Sequence, residues 1–345
     1  MLLIVAMLAG AMLVHRLETF GADVDLFFFP VIAACIFFRS RGLWLIPLCL
    51  ILNDVSFGAM RPTAFSEFAF QNSIHLIKWL SLGLFTVVTL SRYSETRRHQ
   101  MLIQKDVALA RTLQRALMPH HFESPSVRVD ARIHQTWQIG GDLYYFRPFK
   151  EKYVVLTLGD IMGKGIPASM VMAIVMGFFY EWGKQSFSPA WILERLNERL
   201  TSLWANDDAW FVTLFYAIYD EETHELVFSS GGHQAALLLP ADPESSILPL
   251  KTEGLPVGIF PESIWEEKRV TLEPGDRVVV FTDGVNEARN GEGEIFTMDR
   301  LEDLLRSCRT MTPNDIVRTV VARVREWANG ELSDDLAILV MEVKQ

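Results

Sequence analysis

Gly140-Gly141-Asp142-Leu143-Tyr144-Tyr145 and, a little further on, Gly159-Asp160-Ile161-Met162-Gly163-Lys164-Gly165 flank the run Tyr153-Val154-Val155-Leu156-Thr157-Leu158. That run is rich in β-branched and large apolar residues and leads into an acid, which is how a buried strand delivers a carboxylate to the rim of a sheet. The backbone itself therefore places Asp142 and Asp160 near each other. Two such acids repel and lose solvation unless a cation lies between them, and a divalent metal neutralises both at once. The stretch reads as half of a metal site.

The other half is far down the chain. Asp276-Arg277-Val278-Val279-Val280-Phe281-Thr282-Asp283-Gly284 repeats the device, and Ser333-Asp334-Asp335-Leu336-Ala337-Ile338-Leu339-Val340 mirrors it, acids first and strand after. Acids at strand ends with no Cys or His among them make a hard, all-oxygen ligand set that suits Mg²⁺ or Mn²⁺ rather than Zn²⁺. Taken singly, each acid is equally well an ordinary turn residue, since Asp-Gly is also a common hairpin signal.

Six separated motifs come in one order: Gly140 to Asp142, Gly159 to Ser169, Gly231-Gly232-His233, Gly254 to Gly258, Thr282 to Gly284 with Glu287 and Asn290, and Asp334-Asp335. In order and spacing they resemble the bacterial sporulation-protein-E and RsbU-type serine phosphatases of the metal-dependent PPM (protein phosphatase 2C) superfamily, over roughly residues 105–345. The resemblance implies an α+β fold, a four-layer α-β-β-α sandwich with two Mn²⁺ or Mg²⁺ ions between its sheets. It implies that Asp160 bridges both ions, that Asp142 and the carbonyl of Ile161 hold one, and that Asp283 and Asp334 hold the other, with Asp335 beside them. It also implies a phosphorylated anti-anti-sigma (STAS) protein as substrate. Two positions depart from the family: Tyr145 stands where a further Asp is usual, and Ala337 where Thr or Ser is usual. Those departures keep open a catalytically inactive membrane sensor or scaffold that binds the same partner. A nucleotide cyclase of the Gly-Gly-Asp-Glu-Phe kind fits only residues 140–142 and leaves the later motifs unexplained.

Other motif residues divide between roles. Lys164 reads as a phosphate contact or a solvated turn lysine, and His233 as a proton donor or a structural histidine bonding a loop; Glu287 and Asn290 read as organisers of the loop after Asp283. The three cysteines, Cys35, Cys49 and Cys308, have no ligand-like spacing, so neither a disulfide nor a cysteine-held metal is expected. With 32 basic and 42 acidic residues the net charge is −10, and no basic stripe along the sequence suits nucleic acid as a partner.

Half of the chain is hydrophobic, and the excess sits in its first ninety-odd residues. Four apolar runs, residues 1–14, 26–38, 43–60 and 74–90, predict an all-α transmembrane bundle over residues 1–93. Arg39 and Arg41 after the second run, and Arg92, Arg97 and Arg98 after the fourth, put those loops and the C-terminal domain on the cytoplasmic side of the inner membrane. Asn53 and Asp54 inside the third run are either functional polar groups or interfacial caps. Residues 94–120 form a polar helical linker in which Leu102, Leu109, Leu113 and Leu117 share one side. Two readings of it stand: a lever that pairs with a second copy in a homodimer, or a helix packed on its own domain. Residues 121–345 are the expected phosphatase domain.

Overall fold

The computed structural model describes residues 65–182, 186–204 and 210–344, together with Ala33 and Ile36. The chain divides into two compact units, Met1–Lys105 and Asp106–Gln345. One helix, α1 (Phe65–Leu117), carries both the fourth apolar run and the polar linker without a break. On it Leu84, Phe85 and Val88 are exposed, as are Leu102, Leu109 and Leu113 further along. Among the described residues no helix is long and apolar enough to cross a membrane, so the expected four-helix bundle is not found there. The first three apolar runs, with Asn53 and Asp54, lie outside the described residues apart from Ala33 and Ile36.

The second unit is built on two antiparallel sheets. One has the order β1 (His121–Glu123), β2 (Val127–His134), β11 (Leu336–Val343), β10 (Arg277–Phe281), β7 (Ala236–Leu239), β8 (Leu248–Leu250). The other runs β3 (Leu143–Phe149), β4 (Tyr153–Ile161), β5 (Val212–Asp220), β6 (Glu225–Gly231), β9 (Lys268–Thr271). Helices α2 (Ile166–Trp182) and α3 (Pro189–Leu203) pack on the second sheet, and α6 (Pro313–Trp327) packs on β2 and β11 of the first. The one-turn α4 (Asp283–Asn286) and α5 (Met298–Ser307) complete that outer layer. The layers are therefore helix, sheet, sheet, helix.

Sequence pattern explains the layering. In β2, Val127, Val129 and Ala131 enter the core between the sheets, while Val279, Phe281, Ile338 and Val340 face the helices α5 and α6. A strand that supplies both cores must be apolar on both sides, and β10, buried at every residue, is. α3 begins where Ser188 caps it, its hydroxyl accepting from the Trp191 N–H at 3.1 Å with Pro189 in the first turn. α6 repeats this with Thr312 and Pro313. β3 is not evident as a strand in the sequence because Pro148 interrupts it; it is an edge strand, where a missing N–H is tolerated. The short β1, β8 and β9 carry no periodicity of their own and exist through their neighbours.

Tyr216 lies in the middle of β5, fully buried, and among the described residues its hydroxyl has no hydrogen-bond partner. A buried hydroxyl without a partner costs about 1–3 kcal/mol, so Tyr216→Phe should leave stability unchanged or raise it by about 1 kcal/mol. Urea denaturation of the two proteins measures this; a loss above about 1 kcal/mol would mean the hydroxyl is bonded in solution.

Candidate active site

Strand register decides where the acids go. Leu143 pairs with Gly159 in β3 and β4, so Asp142 continues the ladder opposite Asp160. Phe281 pairs with Ile338 in β10 and β11, so the continuation sets Gly284 against Asp335, with Asp283 and Asp334 alongside. β4 also contacts β10 and β11 across the sandwich, which brings these strand ends together.

The close approach needs glycine at particular places. A Cβ on Gly140 would stand 1.7 Å from Asp335 Oδ2, and one on Gly284 would stand 1.9 Å from the Asp335 carbonyl oxygen. On Gly141 it would meet the Ile161 carbonyl oxygen at 2.8 Å, so that carbonyl lies directly against the Gly-Gly-Asp loop. Thr282 then ties one sheet to the other: its hydroxyl donates to Asp142 Oδ2 at 2.8 Å and accepts from the Ala337 N–H at 2.9 Å. Asp335 Oδ1 accepts from the Thr136 N–H at 2.7 Å and so fixes the loop that leads to Gly140.

The electrostatics are those of crowded carboxylates. Burial, then the Asp160 and Asp335 charges, hold the Asp142 carboxyl well above the usual carboxylate range. Asp160 is pushed up to about 7, chiefly by burial and then by Asp283, Asp334 and Asp335, while a hydrogen bond with Asp142 opposes the shift. Asp283 and Asp335 are raised for the same reasons, burial first. Asp334, half-exposed, takes a cation from the chain: Lys164 Nζ lies 3.0 Å from its Oδ1 and donates to the Ser333 carbonyl at 3.1 Å. Among the described residues, no three His, Cys, Asp or Glu side chains form a group that could hold a metal ion.

The structure thus brings Asp142, Asp160, Ile161, Asp283, Asp334 and Asp335 to one place. Lys164 is exposed and pairs with Asp334 on the loop that carries it. His233 is structural: half-buried, its imidazole is lowered to about 4 by desolvation, its Nε2 lies 3.0 Å from the Phe281 carbonyl and its Nδ1 3.0 Å from Thr213 Oγ1. A neutral ring whose Nε2–H donates to a carbonyl has only an acceptor left at Nδ1. Asn290 organises its loop, its Oδ1 accepting from the Glu292 and Glu294 N–H groups. Glu287 is exposed and its charge raises Asp283. Tyr145 points away from the acids, stacked on Phe179 and edge-on to Tyr180, and Ala337 is buried with its N–H on Thr282. Sequence reasoning missed Gln114, which donates to the Gly140 carbonyl at 2.8 Å and accepts from Gln135 at 2.6 Å. Its only signal is an amide set among the leucines at the end of α1.

A family model described as Stage II sporulation protein E (SpoIIE) matches residues 150–344. The chain belongs to the SpoIIE family. Its C-terminal unit is a PP2C-like protein serine/threonine phosphatase domain. The SpoIIE-family relative "Phosphoserine phosphatase RsbU" of Bacillus subtilis (strain 168) is 26% identical over 247 residues, covering 71% of this chain and 72% of that protein. "Phosphoserine phosphatase RsbP" of the same organism is 24% identical over 185 residues, 53% of this chain but only 45% of RsbP. Among solved structures, the SiaA-PP2C domain of Pseudomonas aeruginosa matches 71% of this chain and 99% of its own, with a TM-score of 0.60 and 21% identity. The PP2C domain of SpoIIE with a fragment of its regulatory domain, from Bacillus subtilis, covers 64% of each chain with a TM-score of 0.57 and 17% identity. These structures share the SpoIIE-family fold seen here.

The raised acids fix a sign for pH. Asp160 has an ordinary value of 3.8 when unfolded and about 7 when folded, so its contribution to stability is complete below about 4 and lost as pH rises through about 7. In chelator, the thermal midpoint should fall as pH is raised from about 4 to about 8, and Asp160→Asn should flatten that fall. Thr282→Val should cost about 1–3 kcal/mol in denaturant unfolding, because it strands the Asp142 carboxylate and the Ala337 N–H together.

Proposed function

We propose that this chain is a membrane-anchored, Mn²⁺- or Mg²⁺-dependent phosphatase that hydrolyses phosphoserine on a small regulatory protein of the STAS, anti-anti-sigma kind. The observation that carries the reading is the gathering of Asp142, Asp160, Asp283 and Asp334, the first three with carboxyls raised by burial and then by neighbouring carboxylates. Its donors are all oxygen, the kind that Mg²⁺ and Mn²⁺ take, although as they stand no three of them form a closed ligand group. Asp160 would lie between two ions, Asp142 and the Ile161 carbonyl would hold one, Asp283 and Asp334 the other, with Asp335 as their neighbour. A solved relative, RsbX, is in complex with magnesium; it covers 65% of this chain with a TM-score of 0.50 and 15% identity.

Bound ions of this kind supply a water acidic enough to attack at neutral pH and neutralise the phosphoryl oxygens. The chain's own residues do the rest. Thr282 keeps Asp142 in its rotamer through Oγ1, and Asp335 holds the Gly140-Gly141 loop by its bond to Thr136. Lys164 at the rim puts a positive charge beside Asp334. His233, committed to Phe281 and Thr213, is not the source of the proton that a departing serine oxygen requires.

Membrane anchoring draws support from the four apolar runs and from the exposed Leu84, Phe85 and Val88 on α1, and the arginine-bearing loops support a cytoplasmic side for the catalytic unit. The exposed Leu102, Leu109 and Leu113 support pairing of α1 with a second copy. A phosphoserine STAS protein from the same cell should be dephosphorylated only with Mn²⁺ or Mg²⁺ present. Asp160→Asn or Asp283→Asn should lower turnover by more than about 100-fold, beyond what a lost supporting contact costs. Activity that persists in chelator, or survives both substitutions, defeats the mechanism.

A further inference from the structure

Beside the acids stands a group of arginines that no carboxylate among the described residues pairs. On α1, Arg111 and Arg115 are one turn apart and flank Gln114, which reaches Gln135 next to His134 at the end of β2. On β2, Arg132 and His134 alternate onto one face, the face opposite Ala131 and its core. On α6, Asn314 lies 3.4 Å from Asp130 of that same face, and Arg318 and Arg325 follow it at four and eleven residues, on the same side of the helix. Three elements thus present arginines around His134, and among the described residues Arg111, Arg115, Arg132, Arg318 and Arg325 have no carboxylate at ion-pair distance. Nearby acids are already engaged: Asp130 by His121 and Asn314, Glu326 by Arg323, Glu123 by Arg128 and Lys344. Arg111 Nε is buried with no partner among the described residues. Burial, then the charges of Arg325 and Arg111, lower the His134 imidazole, as a positive field at that point requires.

This placement matters because the chain carries −10 overall and its acid centre repels anything anionic. The basic face is next to that centre: Thr136, two residues after His134, donates to Asp335. We propose that Arg111, Arg115, Arg132, Arg318 and Arg325 form the docking face for the acidic flank of the phosphoprotein substrate, steering it to the neighbouring carboxylate centre against the repulsion of the rest of the chain. The proposal rests on the phosphatase reading for the nature of its ligand. An acidic protein is favoured over an anionic membrane surface because the face adjoins the Asp335 loop, where a bilayer would block the entry of substrate.

The test uses the full chain with Mn²⁺ and three probes: a phosphoserine peptide flanked by glutamates, one of equal length flanked by lysines, and p-nitrophenyl phosphate. The wild type should favour the glutamate peptide by about tenfold in kcat/KM at low salt, through KM, and the preference should fade as the Debye length shrinks below about 5 Å. Arg132 and Arg325 are exposed, so Arg132→Glu with Arg325→Glu should fold normally, abolish or invert the preference, and leave p-nitrophenyl phosphate turnover unchanged. Lysine at both positions should restore the preference, since a long-range field needs charge and not guanidinium geometry. A double glutamate variant that keeps the wild-type preference overturns the proposal. So does a variant that keeps it while losing binding to vesicles containing phosphatidylserine, which would make the face a lipid surface. If the wild type turns over none of the three probes, the phosphatase reading fails. Fluorescence anisotropy of the labelled glutamate peptide then decides the face by itself, with salt-sensitive binding lost in the double variant supporting it and equal binding by both proteins refuting it.

Discussion

The Thr282 hydroxyl is the point on which the site turns. It belongs to the end of β10, donates across the sandwich to Asp142 at the start of β3, and accepts from the backbone of β11. Without such a link the two sheets would be free to separate at the end where their carboxylates repel most strongly. Gly140 and Gly284 act in the same sense, since any side chain there would drive Asp335 away from both loops. The fold therefore holds negative charges together against their repulsion by neutral contacts: a hydroxyl, two backbone N–H groups and close glycine packing. Local stability is given up there for pre-organisation.

Much of this was legible before any coordinates. The strands next to Asp160, Asp283 and Asp334 were marked by apolar runs that end or begin in acids. The two-layer sheet arrangement was not readable from periodicity, because β10 and β11 are apolar on both faces and an alternating pattern is absent where both sides are buried. Proximity of the acids followed from the family resemblance. The reason for it, antiparallel register across two hairpin-like pairs, is visible only in the ladder.

What the sequence hid most completely was the role of neutral polar residues. Gln114 looks like an ordinary helix residue, yet it is almost fully buried and grips Gly140. His233 advertised acid–base chemistry and turned out to have both ring nitrogens engaged in holding β5 to the end of β10. Tyr145, which raised doubt about the site, belongs instead to an aromatic cluster between β3 and α2. Hydrogen-bonding capacity can be read from a sequence, but its partners are fixed by tertiary contacts many residues away.

The same asymmetry governs charge. Net charge counts every acid and base equally, and −10 alone would describe a surface that repels phosphoproteins. What a partner meets is the charge left over after internal pairing. Here Arg277 is spent on Glu342, Lys344 on Glu123 and Lys164 on Asp334, whereas among the described residues no carboxylate takes the arginines around His134. Because screening shortens every field to about 8 Å in physiological salt, a local surplus next to the carboxylate centre outweighs a distant deficit. An acidic protein can therefore hold a strongly negative catalytic centre and still draw a negatively charged substrate to it, provided the unpaired cations stand at the entrance and not across the molecule.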